Sequence, residues 1–179
     1  MTAQQVFEKA SHGGATDFSQ VIGACRAAGP YCLIGGLAVN CYVEPVYTMD
    51  ADLVIAASSI SEIKDRLQSQ GFTLKEQAHS LNAQAEGSQL RIQLTTDPRY
   101  QAFLPRAQKR EVLGENVMVA CLEDIIQGKL WAYQDPHHRP TKAKKDELDL
   151  LRLAEAYPDL QKKLPSQIVA QLKGPSLRP

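Results

Sequence analysis

Tyr31-Cys32-Leu33-Ile34-Gly35-Gly36-Leu37-Ala38-Val39, followed after a spacer by Met49-Asp50-Ala51-Asp52-Leu53-Val54-Ile55, is the stretch on which the fold turns. Its first four residues are apolar and fit a short buried strand. Gly35 and Gly36 leave the backbone bare where a helix would begin, and a helix N-terminus is a ready anion site. Asp50 and Asp52 lie two apart on a second strand, so their side chains leave the sheet on the same side. A phosphate cradle beside two carboxylates that can share a hard cation is what metal-assisted phosphoryl chemistry requires. The plainer reading is a tight turn and a solvated strand face. Against it, two neighbouring carboxylates repel without a cation between them.

The chain has 179 residues, enough for one core or for a core with a small appended domain. Twenty basic residues balance twenty acidic ones, which excludes a global field that draws in nucleic acid. A local basic strip falls in the C-terminal third. No apolar run is long enough to span a bilayer, and a start carrying Glu8, Lys9 and His12 does not read as a signal peptide. Cys25, Cys32, Cys41 and Cys121 have neither paired zinc spacing nor the density of a disulfide framework. Free thiols in a reducing cytoplasm, and no membrane partner, are the expectation.

Outward from the glycine pair, Thr16 or Asp17 caps a helix through Ala28, ended by Gly29-Pro30. Ser59 and Glu62 have the spacing of a capping box for a helix over Ile60–Gln70, closed by Gly71. Phe72–Gln77 reads as a short strand. Gln89–Thr96 is a clearer one, with Leu90, Ile92 and Leu94 alternating against Arg91, Gln93 and Thr95. Arg110–Leu113 and Asn116–Ala120 form a hairpin around Gly114-Glu115. From Cys121 the period turns helical, Pro136–Pro140 breaks it, and a second helix follows from about Thr141 to Ala156 on Leu148, Leu151 and Leu153. A third, short helix fits Ser166–Leu172. Mixed elements first and helices last predict an α/β (α+β) core over 1–120 and a helical C-terminal subdomain over 121–179.

The Ile34, Gly35, Gly36, Asp50, Asp52 arrangement, with small Ala51 between the carboxylates, resembles the signature of the nucleotidyltransferase superfamily, the polymerase-beta-like fold. In the second half, Leu122–Ala132 and Lys144–Leu153 resemble the C-terminal helices of abortive-infection-type and related small bacterial nucleotidyltransferases. There a lysine precedes a small residue on one helix, and a basic-Asp-x-x-Asp-Leu segment follows on the next. Lys129, Ala132, Lys145, Asp146, Asp149 and Leu150 are the matching positions. The resemblance spans Tyr31 to Tyr157. It implies a mixed sheet flanked by helices, Mg²⁺ at Asp50 and Asp52, and nucleoside triphosphate phosphates at Gly35, Gly36, Lys129 and Lys145. It implies transfer of a nucleoside monophosphate to a hydroxyl on a protein, an RNA or a small molecule. Asp146 would orient Lys145. Taken alone, Lys129 and Lys145 read as solvated helix lysines, and Asp146 and Asp149, at i and i+3, as surface acids paired with nearby lysines.

The pattern departs from the family at one place. Active members usually carry a third carboxylate on a neighbouring strand, and the position that aligns best is Gln93. Glutamine neither supplies charge for a second cation nor accepts a hydroxyl proton at neutral pH. Asp97 lies four residues on, roughly 13 Å along an extended strand, and would substitute only through a bulge or bend. Gln93 therefore also supports a reading without catalysis: a nucleotide-binding or protein-interaction module, such as one component of a toxin–antitoxin pair with its partner encoded nearby.

Elsewhere, His137, His138 and Arg139 with Lys142, Lys144 and Lys145 form a cationic loop suited to a triphosphate or an RNA backbone. A Pro-bounded solvated loop is the plainer account. The adjacent histidines lack helical metal spacing, so no zinc is expected. Trp131 is expected in the core or at a subdomain interface.

Overall fold

The computed structural model describes residues 2–173, so the last part of the expected helical region, 174–179, lies outside the described residues. The glycine-pair segment folds as read: β1 (Tyr31–Ile34), α3 (Gly35–Val39) and β2 (Asp50–Ile55). Before it come α1 (Ala3–Ser11) and α2 (Gly14–Ala28). After it come α4 (Ile60–Ser69), β3 (Thr73–Gln77), β4 (Ser80–Gln84), β5 (Arg91–Thr95), a 3₁₀ segment (Pro98–Arg106), and the hairpin β6 (Gln108–Val112) and β7 (Glu115–Val119). The chain then turns helical: α5 (Leu122–Tyr133), α6 (Pro140–Ala156) and α7 (Ser166–Leu172), with a 3₁₀ turn at Pro158–Lys163. Among the described residues no helix is long and apolar enough to cross a membrane.

The seven strands form one mixed sheet in the order β3-β4-β5-β2-β1-β7-β6. β2 runs antiparallel to β1 and parallel to β5, with Asp50 beside Arg91 and Asp52 between Ile34 and Gln93. Ala51, Leu53 and Ile55 point to the opposite, fully buried face. The carboxylates therefore lie on the second face of a central strand whose first face is pinned in the core. A slip of one residue would bury both charges, which fixes the register. The expected α/β sheet flanked by helices is what forms.

Several local expectations are corrected. α2 starts at Gly14, not at Thr16 or Asp17, because the Glu8 carboxylate accepts from the Ala15 and Thr16 amides and takes over their capping. That same contact ties down α1, which was not foreseen although Thr2 and Gln5 form its capping box. Ser59 makes no cap for α4: its hydroxyl donates to Ala28 O and clips α4 to the end of α2. β4 was also unforeseen, and it pairs β3 to β5. On α6, Leu150 and Leu153 are buried whereas Leu148 is 50% exposed, so the expected apolar stripe is displaced around the helix.

Candidate active site

Gly35 is the residue that lets this site exist. Its φ of +72° favours glycine, and a Cβ there would stand 2.2 Å from Asp52 Oδ2. Gly36 has no such demand, since a Cβ there would meet Thr48 at an ordinary 3.6 Å. The positive φ of this turn thus belongs to Gly35.

Asp50 and Asp52 open onto a cleft of ≈ 690 Å³ floored by β2, β5, β4 and β3 and walled by the first half of α6. The loop Val46–Thr48 forms its rim. Three large apolar side chains lining this cleft, Val46, Tyr47 and Leu148, are 47–56% exposed. A smaller cleft of ≈ 260 Å³ lies on the other side of Asp52, lined by Asp97, Tyr100 and Trp131 among others. Asp52, Gln93, Lys129, Lys142 and Asp146 line both.

The two carboxylates differ in surroundings. Asp50 accepts from Arg91 Nε at 2.7 Å through Oδ1 and from Lys145 Nζ at 3.3 Å through Oδ2. Burial pushes its carboxyl up, but Arg91 and Lys145 outweigh burial and leave it below the ordinary value. Asp52 has no side-chain hydrogen bond or ion pair among the described residues. Burial raises it above the ordinary value, with Asp50 and Asp146 adding to the rise and Lys129 and Lys142 opposing it.

The helical residues are arranged otherwise than expected. Lys129 is not a solvated lysine: it is 9% exposed and bridges Asp146 at 2.8 Å and Asp149 at 2.7 Å. Those two acids are likewise buried rather than on the surface, because α5 and α6 pack face to face here. Asp146 consequently orients Lys129, not Lys145, and Lys145 reaches across to Asp50. Arg152 carries the network on from Asp149 to Asn40 Oδ1, at the end of α3, and to Glu44 O, just before the rim loop. Arg139 and Lys142, at the start of α6, line the large cleft with no ion pair among the described residues. Trp131 stacks on Phe103 at 5.8 Å and meets Tyr100 edge-on, joining α5 to the 3₁₀ segment as an interface residue that also lines the small cleft.

Gln93 stands beside Asp52 on the same face, as its strand alternation predicts. Asp97 does not come round to join the pair. It starts the 3₁₀ segment, accepts from the Arg99 amide, and is held by the Arg99 guanidinium at 2.7 Å. No cluster of three or more His, Cys, Asp or Glu side chains suited to a metal exists among the described residues. The donor set fits one hard cation, since Mg²⁺ is commonly held by one or two carboxylates plus substrate phosphate oxygens. Asp52 is uncommitted, and the partners of Asp50 are exposed cations. Lys142 and Arg139 were named only as part of the cationic loop; Arg91, Arg152 and Tyr47 were missed as site residues, and of these only Arg91 had a signal, two residues from Gln93 and on its face.

No protein-family model matches this chain, and no curated protein matches it. Solved structures do. The crystal structure of ANT(2'')-Ia in complex with adenylyl-2''-tobramycin aligns with a TM-score of 0.63 over 89% of this chain and 96% of that one, at 15% identity. The solution structure of the same antibiotic-resistance factor aligns at 0.60 over 91% and 96%, at 16% identity. An antigenic nucleotidyltransferase-like protein from Paracoccidioides brasiliensis aligns at 0.52 over 89% and 92%, at 20% identity. The sheet order, the glycine turn and the paired carboxylates are thus set in the fold of the nucleotidyltransferases.

Proposed function

We propose that this protein binds a nucleoside triphosphate with Mg²⁺ and transfers a nucleoside monophosphate to a hydroxyl acceptor. The observation that carries this reading is the placement of Asp50 and Asp52 on one face of β2, with Asp52 against the bare backbone of Gly35 at the floor of a cation-lined cleft. We place the phosphates between the Gly35–Gly36 turn and the start of α6, where Arg139, Lys142 and Lys145 meet the positive end of the helix. Lys145 then exchanges Asp50 for a phosphate oxygen. Lys129, held by two carboxylates, acts through its field on Asp52 and by fixing α5 against α6. Asp50 and Asp52 would hold Mg²⁺, which when bound neutralises charge on the transferring group and on the departing pyrophosphate.

The acceptor is a protein, an RNA or a small molecule. The small-molecule option draws support from the tobramycin adduct of the structural neighbour. In kind we place the chain with the small abortive-infection-type nucleotidyltransferases of bacteria, with α5–α7 as a helical subdomain, acting in the cytoplasm. Gln93 beside Asp52 favours one second reading, a catalytically impaired nucleotide-binding or protein-interaction module such as half of a toxin–antitoxin pair. Incubation with each α-labelled triphosphate and Mg²⁺, followed by a search for label on protein, RNA and small alcohols, separates the two. Label transfer supports the enzyme, and nucleotide binding with no transfer to any acceptor supports the module.

A further inference from the structure

We propose that the site takes a single divalent cation and that Arg91 supplies, as a fixed side chain, the second positive charge. This rests on the metal reading of Asp50 and Asp52 above. In the parallel register of β2 and β5, Arg91 stands beside Asp50 and Gln93 beside Asp52. The row that faces the carboxylate pair is therefore a guanidinium and a neutral amide, with no third acid.

Charge decides how many cations such a row takes. Once Lys145 has exchanged Asp50 for a phosphate oxygen, Asp50, Asp52 and Arg91 sum to one negative charge, so one divalent ion brings the cluster to one positive charge. A second divalent ion would bring it to three, against Coulomb repulsion at a few ångströms and with no further carboxylate to share it. Three carboxylates, by contrast, would hold two divalent ions at a net of one positive charge. The Arg91 row reaches that balance with one ion fewer.

The geometry also gives Arg91 something to do. It meets Asp50 through Nε alone, at 2.7 Å, while its two terminal nitrogens make no hydrogen bond among the described residues. Arg91 lines the large cleft and its side chain is 65% exposed. A guanidinium held at Nε presents its remaining N–H groups to the cleft, where they suit two phosphate oxygens. Lysine has no such fork, and a mobile second ion would need ligands that are absent.

The test counts ions rather than turnover. Manganese per chain is measured by electron paramagnetic resonance and equilibrium dialysis, with inorganic triphosphate as the phosphate probe. Wild type is expected to bind one Mn²⁺, and the double variant Arg91→Ala/Gln93→Asp two. Arg91→Ala alone should weaken triphosphate binding about tenfold, the scale of one charge-assisted hydrogen bond, and Arg91→Lys should restore only part of it. Thermal midpoints verify that each variant is folded. Two ions in wild type, one ion in the folded double variant, or unchanged triphosphate affinity in Arg91→Ala overturns the proposal. No ion at all in wild type overturns the metal reading itself, a different result from a count of two.

Discussion

The α-hydrogen of Gly35 occupies space that a methyl group would contest with Asp52, since a Cβ there would lie 2.2 Å from Oδ2. Gly35→Ala must either move the carboxylate or twist the turn, and its φ of +72° adds about 1–2 kcal/mol of strain. We expect a lower thermal midpoint and a loss of Mn²⁺ affinity. Gly36→Ala should bind Mn²⁺ as wild type does. Equal binding by both variants would show that Asp52 has room to spare and that the glycine serves the turn alone.

Lys129→Ala should be among the most damaging single changes. It takes the lysine from buried Asp146 and leaves buried Asp149 with Arg152 alone, and removing one partner from a buried ion cluster costs about 3–5 kcal/mol. Urea unfolding of the variant gives this directly. The pH dependence has a definite sign: burial disfavours the ammonium, yet the two acids outweigh burial and raise Lys129 above 10.5. Its contribution is complete below that ordinary lysine value and fades as pH rises through the higher folded one. Stability that faded equally in the variant over that alkaline range would exclude Lys129 as the source.

Gln93→Asp sets a third acid beside Asp52. Without metal the variant should lose on the order of 1 kcal/mol, from like charges side by side on neighbouring strands. With Mg²⁺ it should gain more thermal stabilisation than wild type, because the metal binds the folded state alone. Label transfer should rise or first become detectable. An unchanged response to Mg²⁺ would mean that the residue-93 side chain does not share a ligand with Asp52.

The four thiols should divide into two pairs under alkylation of the native protein. Burial pushes Cys25 and Cys32 up to about 12, so both stay protonated and shielded at pH 8. Cys41 and Cys121 are partly exposed and should react first, slowly, because burial raises them as well. Peptide mass spectrometry locates the label. Early labelling of Cys25 would place α2 loosely on the sheet rather than in the core.

The strand–turn–helix–strand around Gly35 was legible because every signal in it is local: an apolar run, a glycine pair, and alternation at Asp50 and Asp52. The Gln93 departure was legible from the family resemblance, with the alternation of its strand supplying the face. What escaped was pairing at long range. Nothing in the periodicity of β5 tells that it lies parallel to β2, so the Arg91–Asp50 contact across 41 positions had no sequence mark. Helical spacing placed Lys129, Asp146 and Asp149 on two helices, but whether those faces meet each other or water depends on how α5 crosses α6. The capping of α2 by Glu8 failed the reading likewise, because a carboxylate from the preceding helix did what a local Thr or Asp was expected to do.

The rim loop is held at fixed points and open between them. Asn40 grips Val46 through both its amide and its carbonyl, and Arg152 holds Glu44 O from α6, while Val46 and Tyr47 stand about half in water. Asn40 reaches Val46 only through the backbone groups of Val46, and Asp50 follows only after Thr48 has bonded its amide. Such a segment is an exchangeable part. On the proposed transfer function, the side chains of Val46 and Tyr47 line the cleft without touching either carboxylate, so exchanging those side chains is where acceptor preference would be rewritten while the machinery behind it stays the same.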